Sequence, residues 1–390
     1  MSADPAPATA LRRIPSLDGL RALSIFLVVA LHSLQRFGTI HNVSSRKLSA
    51  WLAVAIFDGD TGVFIFFVIS GYLITSLLLH EHQKRGSISL RGFYFRRAMR
   101  ILPPLYAYVG FLLLLGWAGR LKIVRLDIIS ALFFFHDYAV STMWSLEHFW
   151  TLSIEEQFYF LWPFLLFYAL RKPGLEGRLK ASKIAIVIIL IEPIIRVVSL
   201  TLARHTFLHN NYSFHARADS LMFGCLIALL QGTPAFERVY AFATRIWWIP
   251  PTVILLSDLL NARFLNYWRM PFGYTINGVA ISLFLLWCVR NPHSRPGRLL
   301  NSRFIVHIGV LSYSIYIWQT LFLHPDNLTL FGPSLKLLYT FPFSWIAILA
   351  VAELSHYLIE RPSLRLRDSL IKRFRLYSEK RKPLPASTTI

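Results

Sequence analysis

Charged side chains are scarce in this sequence, and acidic ones are the scarcest. Asp, Glu, Lys and Arg together make up 16% of the 390 residues, whereas soluble domains carry about 25%. Hydrophobic residues make up 55%, and the mean hydropathy is +0.49. No polar stretch is long enough to form a soluble domain of the usual ~100–200 residues. The composition therefore predicts an integral membrane protein and excludes a soluble multidomain one.

Cysteine is nearly absent. The two cysteines, Cys225 and Cys288, lie in apolar runs, so we expect small buried hydrophobic residues and no disulfide framework. No cysteines and histidines have the spacing of zinc ligands, and no phosphate-binding nucleotide loop is recognisable. The sequence therefore predicts neither a metal centre nor a permanently bound cofactor.

The net charge of +21 first suggests a nucleic-acid partner. The basic residues, however, fall in short segments between apolar runs, which is the pattern of cytoplasmic loops in membrane proteins. With the N-terminus in the cytoplasm, most of the 41 lysines and arginines lie on the cytoplasmic side. The pattern predicts that the partner is a lipid bilayer, that both termini are cytoplasmic, and that no nucleic acid is bound.

Apolar runs near the ~20 residues that span a bilayer recur along the chain. They predict an all-α membrane protein of about ten transmembrane helices in one bundle: 20–38, 62–80, 101–118, 152–170, 183–203, 217–231, 246–260, 274–289, 304–323 and 337–359. The short run 127–141 is predicted to be interfacial or re-entrant. Residues 1–13 are expected to be cytoplasmic, 14–362 to form the membrane domain, and 363–390 to form a basic cytoplasmic tail.

Ionisable residues inside predicted spans are costly, so each is a candidate functional residue. His32 lies about eleven residues into the first span after Arg21 and can serve either packing or catalysis. Arg97 and Arg100 share a helix face because they are three residues apart, whereas Arg96 points elsewhere. That pair either anchors the helix at the cytoplasmic surface or binds phosphate, to which guanidinium groups are well suited.

Two adjacent acids interrupt the apolar run HFWTLSIEEQFYFLWP. Glu155 and Glu156 can complement the dipole at a helix start or, with Gln157, form the wall of a cavity between helices. Further polar residues stand in RADSLMFG (Arg217 and Asp219) and SYSIYIWQ (Tyr313). Each can be a hydrogen bond between helices or part of a site.

Seven stretches, taken in order, resemble one family closely: RIPSLDGLRALSIFLVVALHS, GVFIFFVISGYLIT, FYFRRAMRILPPLY, HFWTLSIEEQFYFLWP, ARADSLMFGCLIA, IGVLSYSIYIWQ and ELSHYLIERP. They resemble the acyltransferase-3 family of bacterial multipass membrane acyltransferases, over roughly residues 14–362. Members of that family O-acetylate lipopolysaccharide O-antigen, exopolysaccharide and other cell-surface glycans. The sequence departs from the family at Phe64, where many members have an acid, and at Gln319, where many have histidine.

The resemblance implies an inner-membrane O-acyltransferase that uses acyl-CoA, most often acetyl-CoA, as co-substrate and a glycan or glycolipid as acceptor. His32 and Glu155 would be catalytic, with His32 a general base or an acyl carrier. The remaining predicted substrate-binding residues are Arg21, Arg97, Arg100, Glu156, Trp150, Tyr159, Arg217, Asp219 and Tyr313. A transporter or flippase of a lipid-linked glycan is the alternative. The acyl group, the acceptor hydroxyl and the oligomeric state are not predicted.

Overall fold

The fold is built entirely of helices in the part of the chain that the structure describes. In this computed structural model the described residues are 14–36, 48–139, 142–172, 174–202, 212–264, 266–323 and 330–380. The helices α1 to α15 are, in order, Pro15–Arg36, Leu48–Ile56, Gly59–Arg85, Leu90–Trp117, Arg125–Leu132, Phe149–Ala169, Gly174–Leu202, Ala218–Leu230, Pro234–Arg245, Ile249–Phe264, Tyr274–Arg290, Arg295–Leu300, Arg303–Trp318, Phe343–Ser355 and Arg361–Lys380. The predicted all-α class is confirmed.

Short helical segments adjoin some of these helices. They are Phe214–Ala216, Asn266–Trp268, Arg269–Gly273, Thr320–Leu323, Pro333–Tyr339 and His356–Glu360. Two of them, before α11 and after α14, have the wider π-helical winding, which often marks functional positions in helices.

The length and apolar composition of several helices support the predicted multipass membrane protein. Six stretches within the described residues are long and apolar enough to span a bilayer, or seven if the pair Phe236–Arg245 and Ile249–Phe264, bent by 79°, counts as one. α8 and α13 are apolar but have only 13 and 16 residues, fewer than the ~20 of a straight span. Every predicted span overlaps a helix, but the count of ten stays a prediction.

Capping residues fix where the long helices turn back. Asp58 caps α3 by accepting a hydrogen bond from the Thr61 amide at 3.1 Å. α3 ends at Gly86, whose φ of 71° is readily adopted only by glycine, and Ser89 then caps α4 through the Gly92 amide. This tight hairpin lays the first turns of α4, which carry Arg97 and Arg100, back along the bundle.

The directions of the helices define two ends of the bundle. We call the end where α1 begins the near end and the opposite one the far end. α3 runs antiparallel to α1, since a Cβ on Gly59 would meet Leu31, and α4 therefore starts at the near end. α6 runs parallel to α3, because Ser70 bonds Glu155 and Trp162 bonds Thr75, so it starts at the far end.

Glycines let α3 and α8 pack with their backbones almost in contact. A Cβ on Gly71 would lie 2.0 Å from the Leu221 carbonyl oxygen, and one on Gly224 would lie 2.0 Å from the Val68 carbonyl oxygen. Small residues at such a crossing allow the close approach that stabilises helix pairs in membranes. Cys225, beside Gly224, is fully buried, and so is Cys288, as predicted for small buried side chains.

The predicted segment 127–141 begins with α5 and continues as turns. The buried carboxylate of Asp127 accepts hydrogen bonds from the amides of Thr142 at 3.0 Å and Met143 at 2.7 Å, which closes the segment into a compact loop. The structure contains no bilayer, so the interfacial or re-entrant position stays a prediction.

Replacing Gly224 with leucine is expected to loosen the α3–α8 crossing. Overpacking of this kind costs about 1–3 kcal/mol, so the thermal unfolding midpoint in detergent should fall clearly. Gly110→Leu is the matched control, because a Cβ on Gly110 meets nothing within 4 Å. Equal midpoints for the two variants would show that the close crossing is not important for stability.

Candidate functional site

A narrow cavity of about 30 Å³ lies between α1, α3, α6 and α13. Its lining is mostly apolar, with a few polar groups that point into it, which is typical of small-molecule sites. The lining residues are Ser24, Ile25, Val28, Val63, Phe66, Phe67, Thr151, Leu152, Glu155, Ser312, Tyr313 and Tyr316. Two of the sequence-predicted site residues, Glu155 and Tyr313, are therefore in its wall.

Glu155 is held in a defined hydrogen-bonded position at the near part of this cavity. Its Oε1 atom accepts hydrogen bonds from Ser70 Oγ at 2.5 Å and Tyr159 OH at 3.1 Å. The Arg97 guanidinium stacks on the Tyr159 ring, 3.6 Å from its centroid. The aromatic ring and the carboxylate together stabilise the Arg97 charge inside the bundle.

Two more arginines join Arg97. Arg100 interacts electrostatically with both Arg21 and Arg97, and Arg21 forms an ion pair with Asp18 at 3.5 Å. Arg100 is exposed, so it is the member of the group that solutes can reach. The structure brings together the three arginines that the sequence predicted.

Besides Asp18 and Glu155, two more carboxylates lie near the arginines. Glu156 interacts electrostatically with Arg97 and Glu155, and Glu360 does so with Arg100. Tyr313, which donates a hydrogen bond to the Ile101 carbonyl at 2.8 Å, borders the same group. We call Arg21, Arg97 and Arg100 the arginine cluster.

Arg96 points away from this cluster, as its position on the helix predicts. It pairs with Glu81 of α3 at 3.1 Å. Consecutive residues on a helix differ by about 100° in direction, so Arg96 faces α3 while Arg97 faces α6. The two neighbours therefore provide a natural comparison between a structural and a site arginine.

Two histidines lie just beyond the far part of the cavity, outside its lining. His32 is one helical turn beyond the cavity-lining Val28, on the same face of α1, and about 16 Å along the helix from Arg21. His148, just before α6, interacts electrostatically with His32. Its Nε2 atom is 3.2 Å from the Ile317 carbonyl oxygen at the end of α13.

Sequence reasoning missed His148, although it begins the quoted block HFWTLSIEEQFYFLWP. The available signal was a histidine immediately before the helix that carries Glu155. Its proximity to His32 depends on how α1, α6 and α13 pack, and local spacing carries no such information.

Glu155 and His32 belong to different parts of the cavity. Glu155 lies seven residues beyond His148, which corresponds to about 10 Å along α6, and its hydrogen bonds go to Ser70 and Tyr159. The catalytic role of Glu155 stays a prediction. Its contacts favour balancing the charge of the arginine cluster.

The prediction that Gln157 shares the cavity wall is wrong. Its amide donates hydrogen bonds to Asp137 Oδ1 at 2.7 Å and the Phe134 carbonyl at 2.9 Å. Two residues along a helix amount to a rotation of about 200°, so Gln157 faces the loop after α5 when Glu155 faces the cavity.

Arg217 and Trp150 lie together beside the far part of the cavity. The Arg217 guanidinium is 5.3 Å from the Trp150 ring centroid and 4.0 Å from that of Tyr274. It also pairs with Asp60 at 3.6 Å. Trp150 packs against the cavity-lining Phe67, so this cation–aromatic group adjoins the cavity.

Asp219 does not join Arg217. Its carboxylate is completely buried and accepts a hydrogen bond from Arg196 of α7 at 2.8 Å. Glu192 accepts a hydrogen bond from the Asp219 amide. These bonds show that Asp219 links α8 to α7. Its predicted contact with substrate gains no support from this position.

Comparison with known proteins identifies the family. A family model described as an acyltransferase domain matches residues 14–357. The chain is 30% identical over 379 residues to the peptidoglycan O-acetyltransferase OatA of Listeria monocytogenes, covering 90% of this chain and 55% of that protein. It is 29% identical over 384 residues to the putative peptidoglycan O-acetyltransferase YrhL of Bacillus subtilis, with the same 90% and 55% coverage.

A putative O-acetyltransferase of Staphylococcus aureus is 29% identical over 337 residues, covering 79% of this chain and 50% of that protein. The chain thus spans about half the length of the curated relatives it matches. No solved structure matches. The matched family model covers the whole cavity and both of its ends, and the chain belongs to the acyltransferase-3 family of membrane O-acyltransferases.

Proposed function

We propose that this protein transfers an acyl group, most simply acetyl, from acyl-CoA to a hydroxyl group of a cell-envelope glycan. The observation that carries the proposal is a cavity whose wall includes Glu155, beside the arginine cluster, and Val28, one helical turn from His32. A phosphate-rich donor can bind at one part while its reactive group reaches the other.

The donor's origin gives the topology. CoA is made in the cytoplasm, so the near end faces the cytoplasm and both chain termini lie there. Ten helices cross the bacterial inner membrane: α1, α3, α4, α6, α7, α8, α10, α11, α13 and α14. The excess of Lys and Arg in the loops of the near end supports this orientation. The shorter helices α8 and α13 cross with the help of adjoining turns.

The arginine cluster binds the phosphates of the donor by charge, and the apolar cavity contacts its thioester arm. The exposed Arg100 meets the phosphates first, and Arg97 and Arg21 contact them beside it, since guanidinium groups bind phosphate oxygens in a bidentate manner. Glu155, Glu156 and Tyr159 keep this cationic site stable when it is empty. The narrow apolar cavity lies between the two parts, along the line that the thioester arm follows to end beside His32.

The acceptor approaches from the far end. Trp150 and Tyr212, with ring centroids 4.7 Å apart, can stack on a sugar face, and Arg217 fixes the Trp150 ring. The two relatives named as acting on peptidoglycan make that glycan a natural first acceptor to test beside O-antigen and exopolysaccharide.

His32→Ala is expected to remove acyl transfer without unfolding the protein. Loss of a catalytic imidazole typically costs about 10²–10⁴-fold in rate. The measurement uses purified protein in nanodiscs, radiolabelled acetyl-CoA and a panel of peptidoglycan, lipopolysaccharide and exopolysaccharide. Wild-type turnover by the variant would exclude His32, and no CoA release by the wild type, with a range of donors, would favour transport.

Arg100→Gln is expected to raise the KM for acetyl-CoA. A charge-assisted hydrogen bond contributes about 1.5–3 kcal/mol, so the increase should be about tenfold or more, with a smaller change in kcat. Arg96→Gln is the control, since Arg96 pairs with Glu81 outside the cluster. Unchanged KM in Arg100→Gln and Arg97→Gln would place the donor elsewhere.

Trp150→Ala is expected to raise the KM for the glycan and leave the KM for acetyl-CoA unchanged, because the ring adjoins only the far part of the cavity. Loss of one aromatic stacking contact costs about 0.5–1.5 kcal/mol, which corresponds to a several-fold higher KM for the glycan. Trp117→Ala is the control, since Trp117 is 89% exposed at the end of α4. Equal acceptor KM for both variants would remove Trp150 from the acceptor site.

A further inference from the structure

We infer that His148 is a second catalytic histidine, whose Nδ1 takes the proton from the acceptor hydroxyl while His32 carries the acyl group. The inference rests on the proposed function and deepens it, because it divides between two residues the two roles that are open to His32.

The hydrogen bond to Ile317 fixes the tautomer of His148. A backbone carbonyl can only accept a hydrogen bond, so Nε2 must carry the proton that it donates across 3.2 Å. In a neutral imidazole the other nitrogen then has an unprotonated lone pair. Nδ1 of His148 is therefore the basic atom.

That basic atom is buried and has no hydrogen-bond partner within the described part of the chain. The residue is 4% exposed. Buried polar atoms are nearly always satisfied, so an unsatisfied one needs an explanation, such as a catalytic role. A substrate hydroxyl is a donor of the right kind, because it supplies the hydrogen bond and then the proton.

The ring is also held firmly in place. It lies edge-on to the rings of Phe149, Tyr108 and Tyr316, at centroid distances of 4.8, 6.1 and 5.2 Å. The Tyr316 hydroxyl donates to the His148 carbonyl at 2.6 Å. A base whose orientation is fixed before the substrate arrives loses less entropy in the reaction.

The backbone of His148 adjoins the cavity whose lining ends one helical turn from His32. Tyr316 and Thr151, which both contact His148 through its carbonyl, line the cavity. His32 is near enough to interact with the His148 ring electrostatically. One imidazole can therefore bear the acyl group while the other faces the incoming hydroxyl.

The reaction then has two balanced steps. In the first, a His32 nitrogen attacks the thioester carbonyl, the C–N bond forms, the C–S bond breaks, and the His32 N–H proton passes to the CoA thiolate. In the second, the acceptor proton moves to His148 Nδ1, the acceptor oxygen attacks the acyl carbon, and the C–N bond breaks. His32 recovers its proton from His148, so both residues return to their starting state.

A purely structural role is the competing explanation, since His148 satisfies a carbonyl at the end of α13. His148→Gln separates the two roles. The glutamine amide can still donate to the Ile317 carbonyl, but it provides no base. His148→Ala, tested with added imidazole, is the second variant, and His293→Gln is the control because His293 is exposed in a loop.

The experiment measures two half-reactions in nanodiscs with radiolabelled acetyl-CoA. Without acceptor, His148→Gln is expected to release CoA and to retain label on the protein, as the wild type does, whereas His32→Ala does neither. With a glycan acceptor, His148→Gln should transfer label at least about 100-fold more slowly, and imidazole should partly restore transfer by His148→Ala.

Three results would contradict the inference. Wild-type transfer by His148→Gln would leave His148 a structural role only. Loss of both half-reactions in His148→Gln would show that His148 has no specific role in transfer to the acceptor. Transfer by the wild type with no label ever retained on the protein would remove His32 as the acyl carrier. Failure of the proposed function is a separate outcome, in which the wild type releases no CoA.

Discussion

The cost of holding positive charge inside a membrane bundle is the constraint on which the site depends. Arg97 lies where a guanidinium group alone would be strongly destabilising. Its stacking on Tyr159, at 3.6 Å, and the Tyr159–Glu155 hydrogen bond compensate much of that cost. The two adjacent acids in HFWTLSIEEQFYFLWP are thereby explained: Glu155 and Glu156 accompany the arginines. Three guanidinium groups held close together in this way suit a phosphate-bearing ligand.

Once the cluster is fixed, the rest of the site follows from helix geometry. α1 carries Arg21 at one level of the cavity and His32 about 16 Å further along, so a donor held at the arginines extends towards the histidines. His148, just before α6, and Glu155, within α6, lie about 10 Å apart along the axis of that helix. The glycine-lined crossing of α3 and α8 keeps α3 in place, and α3 supplies both Ser70 for Glu155 and Phe67 beside Trp150.

Much of this could be predicted from sequence because polar residues in apolar helices are conspicuous. The helices, the shared face of Arg97 and Arg100, the separate direction of Arg96 and the presence of Glu155 in a cavity wall all depend on local periodicity. The prediction for Gln157 was wrong, and that for Asp219 gained no support, because their partners, Asp137 and Arg196, are distant in sequence. His148 was missed for the same reason: its fixed tautomer depends on a carbonyl 169 residues away.

The central claim is that one donor molecule connects the arginine cluster with the histidine pair. The most direct test is an experimental structure of the protein in nanodiscs with a non-hydrolysable acetyl-CoA analogue. The account predicts phosphate oxygens within hydrogen-bond distance of Arg97 and Arg100, an arm that fills the cavity between α1, α3, α6 and α13, and an acyl carbon beside His32. An analogue bound away from these arginines, or with its acyl group far from His32, would contradict it.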